Sequence, residues 1–272
     1  MFSPYYASAR RRGAGDPLQH CALNVALYGA GGKRWALTER SGRALQRSRL
    51  RLGIGPSALT WDGNALTVQI EEVTAPFPSR LRGTVRVHPA ALPGRGFALD
   101  AAGRHVWTPI APCARVEVEL ERPALRWSGL AYFDANAGSE PLEAGFRSWD
   151  WSRAALHRGT AVLYDAVRRD GSTRLLALRF NPDGGVESFE APPQVRLPAT
   201  GWRVSRGTRA DAGHGAAVVE TLEDTPFYAR SLLRTHLLGE RATAVHESLS
   251  LDRFRTRWVQ ALLPFRMPRA WK

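Results

Sequence analysis

The chain has 272 residues, of which 44% are hydrophobic, so it can bury one large core or two modest ones and is not a disordered chain. Its 38 Lys and Arg residues outnumber its 25 Asp and Glu residues, and the net charge of +13 favours an anionic partner or surface. The two cysteines, Cys21 and Cys113, lie far apart, so neither a disulfide framework nor a zinc site can be read from them, and a reducing compartment is the simplest interpretation.

The beginning of the chain lacks the features of a targeting or membrane segment. Residues 1–6 have neither the basic region nor the apolar region of a secretory signal. Arginine interrupts every apolar run, so no window of about 18 apolar residues exists. We therefore expect no membrane-spanning helix.

Short alternating segments between Gly, Pro, Asn and Asp residues predict antiparallel β structure along the chain. In residues 64–72 apolar side chains fall at every second position, and residues 115–121 show the same alternation. Each of these segments is therefore expected to form a strand with one dry face and one wet face.

A boundary between two halves is predicted near residues 121–123, where a charged strand ends at Pro123 before an apolar run begins at Leu125. Many short strands with few intervening helices fit a sandwich or barrel better than a parallel α/β sheet. We therefore expect an all-β protein of two β-barrel-like halves, with domains at residues 1–121 and 122–272.

The second half contains a predicted helical turn and a predicted hairpin. Residues 141–151 are a candidate for the helical turn. Asp170-Gly171 lies between the alternating segments 160–167 and 172–180, which is typical of a β-hairpin, and residues 181–185 end the second strand.

The last segment, residues 253–272, combines six cations and no acid with apolar side chains. Its cations and aromatic residues include Arg253, Arg255, Arg257, Arg266, Arg269, Lys272, Trp258, Phe265 and Trp271. This composition predicts a second helical stretch that binds an anionic membrane surface peripherally. The alternative is a terminal segment that packs on the second half, in which case residues 10–51 are the better membrane contact.

The sequence lacks the common motifs of nucleotide and metal enzymes. It has no GxSxG, Walker or HExxH motif, and the glycines near residues 13–15 and 53–55 are not set between a strand and a helix. The seven histidines show no compact ligand spacing. We therefore expect neither a cofactor nor a bound metal.

Two short motifs place a titratable residue beside an aromatic one: His105 with Trp107, and Tyr132 with Asp134. Residues two positions apart share one face of a strand, so the four side chains are candidates for a joint site. Two alternatives stay open at this point. Asp134 precedes Ala-Asn-Ala-Gly, as in a strand-ending turn, and His105 resembles a surface residue at a strand end.

Tryptophan is frequent in the middle of the chain, where Trp149 and Trp151 flank Asp150. Further tryptophans lie at positions 107, 127 and 202. This aromatic content suits a cavity for an apolar ligand, although ordinary core packing is the preferred interpretation on these residues alone.

Four segments carry a resemblance to a known family. They are FSPYYA at residues 2–7, HCALNVALYG at 20–29, YFDANAGSEPLEAGFRSWDWSR at 132–153 and PFRMPR at 264–269. They closely resemble the carotenoid 1,2-hydratases, or hydroxyneurosporene synthases, of photosynthetic bacteria, and the similarity covers essentially the whole chain. The resemblance implies two lipocalin-like domains. In the family, further strands precede the FSPYY motif, so the first domain is expected to lack its first strands.

The resemblance also implies an activity and the residues that perform it. It implies a cofactor-free hydratase of carotenoid biosynthesis that adds water to the terminal C1–C2 double bond of neurosporene, lycopene or a similar acyclic carotenoid. The family's functional residues fall on His105, Trp107, Tyr132 and Asp134. Asp134 would donate the proton, and the faces of Trp107 and Tyr132 would stabilise a tertiary carbocation. His105 would orient the attacking water or take its proton.

The remaining expectations concern substrate and location. Trp149 and Trp151 would line a tunnel for the polyene. The enzyme is expected inside the cell, on the cytoplasmic face of the inner or intracytoplasmic membrane. The alternative function is a carotenoid or lipid carrier without catalysis. Nucleic-acid binding is suggested by charge alone, because the basic residues form no known binding motif.

Overall fold

The computed structural model of the protein describes residues 2–29 and 31–270. The chain forms two compact units. Unit 1 comprises Met1–Pro89, Arg115–Gly129 and Gln260–Lys272, and unit 2 comprises Ala90–Ala114 and Leu130–Val259.

The two units are interleaved along the chain because two long strands contribute residues to both. These strands are β9 (His105–Arg122) and β10 (Leu125–Gly138). The predicted boundary at residues 121 and 122 falls at the end of β9, just before the turn into β10. A division into domains at that position stays a prediction.

Unit 1 is built mainly from short strands preceded by one helix. Its other elements are α1 (Pro4–Arg11), β1 (Asn24–Leu27), β2 (Arg34–Leu37), β3 (Leu45–Arg47), β4 (Arg51–Ile54), β5 (Ser57–Trp61), β6 (Leu66–Val73) and β7 (Arg80–Pro89). Helix α1 begins where the Ser3 hydroxyl accepts a hydrogen bond from the Tyr6 backbone N–H at 2.9 Å, with Pro4 at the first helical position.

The main sheet of unit 1 has the strand order β10-β9-β7-β6-β5-β4-β3, and β1 pairs with β2 in a separate ribbon. The predicted alternation in residues 115–121 is confirmed, because Val116, Val118 and Leu120 are buried while the glutamates between them are exposed. Strand β6 departs from the pattern at Glu72, a buried residue whose charge is paired with Arg40 at 2.8 Å.

The remaining elements follow β7. The strands are β8 (Phe97–Ala98), β11 (Phe146–Leu156), β12 (Gly159–Arg168), β13 (Thr173–Phe180), β14 (Val186–Ser188), β15 (Gln194–Leu197), β16 (Arg206–Arg209), β17 (Ala217–Asp224), β18 (Tyr228–Leu237) and β19 (Glu240–Ser250). The helices are α2 (Leu142–Gly145), α3 (Leu251–Phe254) and α4 (Arg257–Arg266).

Unit 2 contains a seven-stranded sheet with the order β14-β13-β12-β11-β19-β18-β17. Directly paired residues of antiparallel strands project to the same side, so register defines the two faces. Trp151 of β11 is paired with Tyr164 of β12 and with Glu247 of β19, and these residues define the aromatic face. The opposite face carries an aliphatic cluster that includes Ala154 and Leu163.

The predicted fold class is confirmed, because the chain consists of antiparallel sheets with few short helices. The hairpin at residues 170–171 is also confirmed, with Gly171 in the left-handed region at a φ of 84°. The predicted helical turn at 141–151 is correct only for Leu142–Gly145. The rest of that segment is strand β11, whose backbone pairs with both β12 and β19.

The helices can be compared with the expectation that none of them spans a membrane. Within residues 2–29 and 31–270, none combines the length and apolar character needed to cross a bilayer.

Candidate functional site

Asp134 is the centre of a hydrogen-bonded cluster in unit 2. Its Oδ2 accepts a hydrogen bond from the Trp107 indole N–H at 2.7 Å and another from the Tyr132 hydroxyl at 3.0 Å. Tyr132 and Asp134 are two positions apart on β10, and Trp107 lies on the neighbouring strand β9. Asp134 is thus inside a strand, so the alternative of a strand-ending turn is wrong.

The surroundings of Asp134 favour its protonated form. Burial raises the pKa of the Asp134 carboxyl, and the nearby Glu247 carboxylate raises it further, although the hydrogen bonds from Trp107 and Tyr132 act in the opposite direction. Burial and the adjacent Asp134 charge also raise the pKa of the Tyr132 phenol. The cluster therefore combines a carboxyl that retains its proton beyond the usual pH range with a neutral phenol that donates a hydrogen bond.

Trp107 anchors the cluster in an aromatic core. Its side chain is completely buried and packs against Phe97, Tyr164 and Phe180, with ring centroids 5.6, 5.7 and 6.2 Å away. Such close ring packing fixes the direction of the indole N–H toward Asp134.

Trp149 and Trp151 both lie on the aromatic face, next to this cluster. The Trp151 ring is 5.4 Å from the Tyr132 ring, and the Trp149 ring is 5.9 Å from the rings of Tyr164 and Phe146. The two tryptophans therefore extend the aromatic surface around Asp134. The substrate tunnel expected along them stays a prediction.

His105 is buried, with 2% of its surface exposed, so the alternative of a surface histidine is wrong. Its backbone N–H donates to Asp100 Oδ2 at 2.7 Å. Its ring contacts Phe146 edge-on, with centroids 5.0 Å apart, and Nε2 lies 3.4 Å from Glu140 Oε1. The direct ring contacts of His105 are thus separate from the hydrogen bonds that join Asp134, Trp107 and Tyr132.

Two glycines leave room for the His105 ring. A Cβ atom added at Gly138 would lie 2.7 Å from Nδ1, and one added at Gly145 would lie 3.1 Å from Nε2. A larger residue at Gly138 would displace the imidazole, which is a physical reason for glycine at this position of the segment 132–153.

Three residues near Asp134 were missed by sequence reasoning: Arg153, Tyr164 and Glu247. The Arg153 guanidinium carbon lies 5.7 Å from the centre of the Tyr132 ring, and burial lowers the pKa of this arginine. The short connection between β11 and β12 could have revealed Tyr164, because its register sets Tyr164 opposite Trp151. Glu247 comes from a distant part of the sequence and gave no local signal.

Two other tryptophans noted in the sequence, Trp202 and Trp127, are not among the described contacts of the Asp134 cluster. Trp202 stacks on Trp258 with centroids 6.1 Å apart, and Trp127 is half exposed on β10. Across the part of the chain that the structure describes, no group of three or more His, Cys, Asp or Glu residues has a geometry suited to a metal ion.

Comparisons with known proteins identify similar sequences over the whole chain. The model of the family described as carotenoid hydratase CrtC matches residues 1–272. The chain is 65% identical over 270 residues to an acyclic carotenoid 1,2-hydratase of Thiocapsa roseopersicina, and 53% identical over 272 residues to one of Rubrivivax gelatinosus. Each alignment covers 99% of this chain and 67% of the relative.

A third relative and a solved structure extend the comparison. An acyclic carotenoid 1,2-hydratase of Cereibacter sphaeroides is 40% identical, with 99% of this chain and 95% of the relative aligned. The crystal structure of a protein assigned as AttH, from Nitrosomonas europaea, has a TM-score of 0.60 at 14% identity. That match covers 84% of this chain and 80% of the other, and it shows a likeness of fold alone.

Proposed function

This chain belongs to the carotenoid hydratase CrtC family, and we propose that it adds water to the terminal C1–C2 double bond of an acyclic carotenoid such as neurosporene or lycopene. The observation that supports this activity most directly is the Asp134 carboxyl, which is held by Trp107 and Tyr132 among aromatic rings and has a raised pKa. An acid that keeps its proton in an apolar, aromatic site is what hydration of an unactivated alkene requires.

The first chemical step is the transfer of a proton to carbon. The Asp134 carboxyl gives its proton to C2, and the π electrons of the double bond form the new C–H bond. The hydrogen bonds from Trp107 and Tyr132 to Oδ2 stabilise the carboxylate left behind. The positive charge then resides on C1, because that carbon is tertiary.

The aromatic rings stabilise the cation. The faces of Trp107 and Tyr132 are the first candidates, and cation–π contacts in a desolvated site contribute about 2 kcal/mol or more. Trp149 and Trp151, close to Tyr132 and Tyr164, are proposed to line the path of the polyene.

Water then attacks C1. His105 is the family's candidate for orienting this water or taking its proton, and Glu140 beside Nε2 would stabilise the imidazolium so formed. Each step uses only side chains and water, so we propose that the enzyme needs no cofactor.

Product analysis tests the activity. Purified protein is incubated with neurosporene and lycopene separately in detergent, and hydroxylated products are separated by chromatography and identified by mass. We expect Asp134→Asn to reduce hydration by about a hundredfold or more, because the amide keeps the shape and lacks the transferable proton. Asp183→Asn, at an exposed turn position, is the matched control.

Two outcomes would contradict the proposal. Asp134→Asn activity above about a tenth of wild type would remove Asp134 from the acid role. Carotenoid binding by the wild-type protein without any hydroxylated product would instead favour the carrier function.

We also propose that residues 253–272 hold the protein peripherally on the cytoplasmic face of the membrane, where the apolar substrate resides. Trp258, Leu262 and Phe265 support this proposal, because they recur at helical spacing along α4 and are exposed to 47%, 42% and 67%. Arg255 and Arg257 are exposed next to them and suit anionic headgroups.

Other cations of this segment have protein contacts. The Arg266 guanidinium carbon lies 4.4 Å from the centre of the Trp35 ring, and Arg269 forms an ion pair with Glu39. These contacts are with residues of unit 1, not with the second half that the alternative named, and the membrane proposal therefore rests on α4 and the residues just before it. Trp271 and Lys272 lie outside the described residues.

Liposome sedimentation tests this contact. Binding is expected to increase with anionic lipid and to weaken with salt. The triple variant Arg255→Gln, Arg257→Gln, Phe265→Ser is expected to bind at least about tenfold more weakly, because each basic residue near an anionic surface contributes about 1 kcal/mol. Phe77→Ser, at another exposed phenylalanine, is the control. Unchanged binding of the triple variant would exclude α4 and make residues 10–51 the next candidate.

A further inference from the structure

Glu247 and Trp151 are cross-strand neighbours on the aromatic face, and the proposed steps leave the polar groups of both side chains unused. The two residues are directly opposite each other on β19 and β11, and Tyr164 is opposite Trp151 on its other side. Because the Trp151 ring contacts the Tyr132 ring, this pair lies beside the Asp134 cluster.

The Glu247 carboxylate is fixed by one oxygen and open at the other. Its Oε1 accepts a hydrogen bond from Arg230 Nε at 2.9 Å and lies 2.7 Å from Arg230 Nη2 in an ion pair. Within the described residues, Oε2 has no hydrogen-bond partner, and 24% of the side chain is exposed. Oε2 is therefore held in place and free to accept a hydrogen bond from water.

Trp151 offers the complementary group. Its Nε1 is buried and has no hydrogen-bond partner in the part of the chain that the structure describes. Buried N–H groups almost always have a partner, and those that lack one indicate the position of a water or a ligand atom. An indole N–H only donates, so it fits the oxygen of a water molecule.

We propose that Trp151 and Glu247 bind the attacking water of the hydration reaction. The Trp151 N–H donates to one lone pair of the water oxygen, and the other lone pair forms the C–O bond with the C1 cation. One O–H bond of the water breaks, and its proton passes to Glu247 Oε2. The released proton leaves to solvent, and Asp134 takes up another, so the enzyme returns to its initial state. This inference rests on the proposed function.

The surroundings of the two possible bases favour Glu247 over His105. Within the described residues His105 Nε2 also has no hydrogen-bond partner, but Phe146, Glu140 and the backbone at Gly138 and Gly145 enclose the ring. Glu247, in contrast, is close enough for its charge to act on the cluster itself, since it raises the pKa values of both Asp134 and Tyr164. Asp134 holds a proton and can act as the acid, whereas Glu247 is a carboxylate paired with Arg230 and can act as the base. The two proton transfers therefore use two different groups of the same site.

Glu247→Gln in heavy water tests the inference. The amide oxygen can still accept from Arg230, so the fold is expected to remain, but the side chain no longer takes a proton. We expect hydration to fall about a hundredfold. Asp134 would still protonate and deprotonate the alkene, so the recovered carotenoid is expected to carry deuterium at its end group. Glu220→Gln, at an exposed position of the same unit, is the matched control.

Trp151→Phe provides a second variant that keeps the ring and removes only the N–H. We expect it to lose about tenfold in hydration, the effect of one hydrogen bond, while deuterium still enters the substrate. Asp134→Asn is expected to show neither hydration nor deuterium uptake.

The outcomes separate this inference from the proposed function. Glu247→Gln that hydrates within about threefold of wild type would overturn it, since loss of a catalytic base costs far more. Loss of both hydration and deuterium uptake in Glu247→Gln would also overturn it, because the defect would then not be specific to water. A His105→Gln variant that blocks hydration and retains deuterium uptake, alongside an active Glu247→Gln, would assign the water to His105. Asp134→Asn that still hydrates would instead contradict the proposed function.

Discussion

Two buried polar sites on opposite faces of the seven-stranded sheet in unit 2 differ in how completely they are hydrogen-bonded. On the aromatic face, the Trp151 N–H and one oxygen of Glu247 have no partner within the described residues. On the opposite face, His246 is completely buried, yet both ring nitrogens are hydrogen-bonded: Nδ1 to Ser152 at 2.7 Å and Nε2 to Ser248 at 3.0 Å.

The network on the opposite face continues through hydroxyl groups. Ser248 donates to Asp150, and Ser152 shares a hydrogen bond of 3.1 Å with Thr208. A histidine, two serines and an aspartate in contact resemble a catalytic arrangement, but their hydrogen bonds are made within the protein. The comparison teaches that buried polarity alone does not indicate function. A buried polar group with unused hydrogen-bonding capacity is a better candidate when it also lies beside the candidate site, as Trp151 does and Thr235 on the opposite face does not.

The largest effect is expected from His246→Leu on the satisfied face. The change leaves the buried hydroxyls of Ser152 and Ser248 without their common partner, so the free energy of unfolding should fall by about 3 kcal/mol. Urea unfolding measures this loss, with the exposed His157→Leu as control. Hydration per folded molecule should stay within about twofold, because a tenfold change corresponds to 1.4 kcal/mol of barrier and no reacting group is altered. A selective loss of activity would place function on this face as well.

A smaller effect is expected from Trp107→Phe at the Asp134 cluster. The indole N–H lowers the pKa of Asp134, so its removal should raise that pKa and move the alkaline limb of the pH–rate profile to higher pH. Activity at the optimum should fall about thirtyfold, or about 2 kcal/mol, because the carboxylate product of proton transfer loses a donor. Trp127→Phe, at a half-exposed tryptophan, should change neither quantity. A limb that moves to lower pH would contradict the role of this hydrogen bond.

The smallest expected effect is a change in how the stability of the protein depends on pH when Asp134 is replaced. The pKa of Asp134 is raised in the folded protein, so its contribution to stability is complete below the unfolded pKa of about 4 and is lost as pH rises through the folded value. The stability of Asp134→Asn relative to wild type should therefore increase progressively as pH rises above about 4. Urea midpoints across this range measure the trend.

Asp62→Asn is a control of opposite sign. Backbone hydrogen bonds from Ala65 and Asn64 lower the pKa of Asp62, so the wild-type carboxylate favours folding as pH rises above the acid range. If stability relative to wild type changed with pH in the same direction in both variants, local charge rather than burial would determine the pKa of Asp134.

Local patterns in the sequence predicted several strands and part of the hydrogen-bonded cluster around Asp134. Alternation identified β6 and β9, and the spacing of Tyr132 and Asp134 predicted a shared strand face, which their hydrogen bond requires. His105 and Trp107 share a strand too, but the contacts of the His105 ring are with Phe146 and Glu140. A shared strand face does not decide which neighbour a side chain meets.

The features that local sequence patterns did not predict depend on pairing between distant strands. Glu247 comes next to Trp151 because β19 pairs with β11, nearly a hundred residues earlier, and no local pattern contains that information. The helical prediction for residues 141–151 fails after Gly145 for the same reason. These residues have no strong local preference, and the ladders on both sides of β11 impose the extended conformation after the first turn.

The ion pair of Glu39 and Arg269 affects the order in which unit 1 completes its structure during synthesis. Glu39 is almost fully buried, with 1% of its surface exposed, and it contacts both Arg269 and His20. Arg269 is added 230 residues after Glu39, so during synthesis this carboxylate lacks its arginine partner until that long segment has been made. At a synthesis rate of about 5–20 residues per second, that interval lasts at least about ten seconds, during which His20 is available to Glu39 and Arg269 is not.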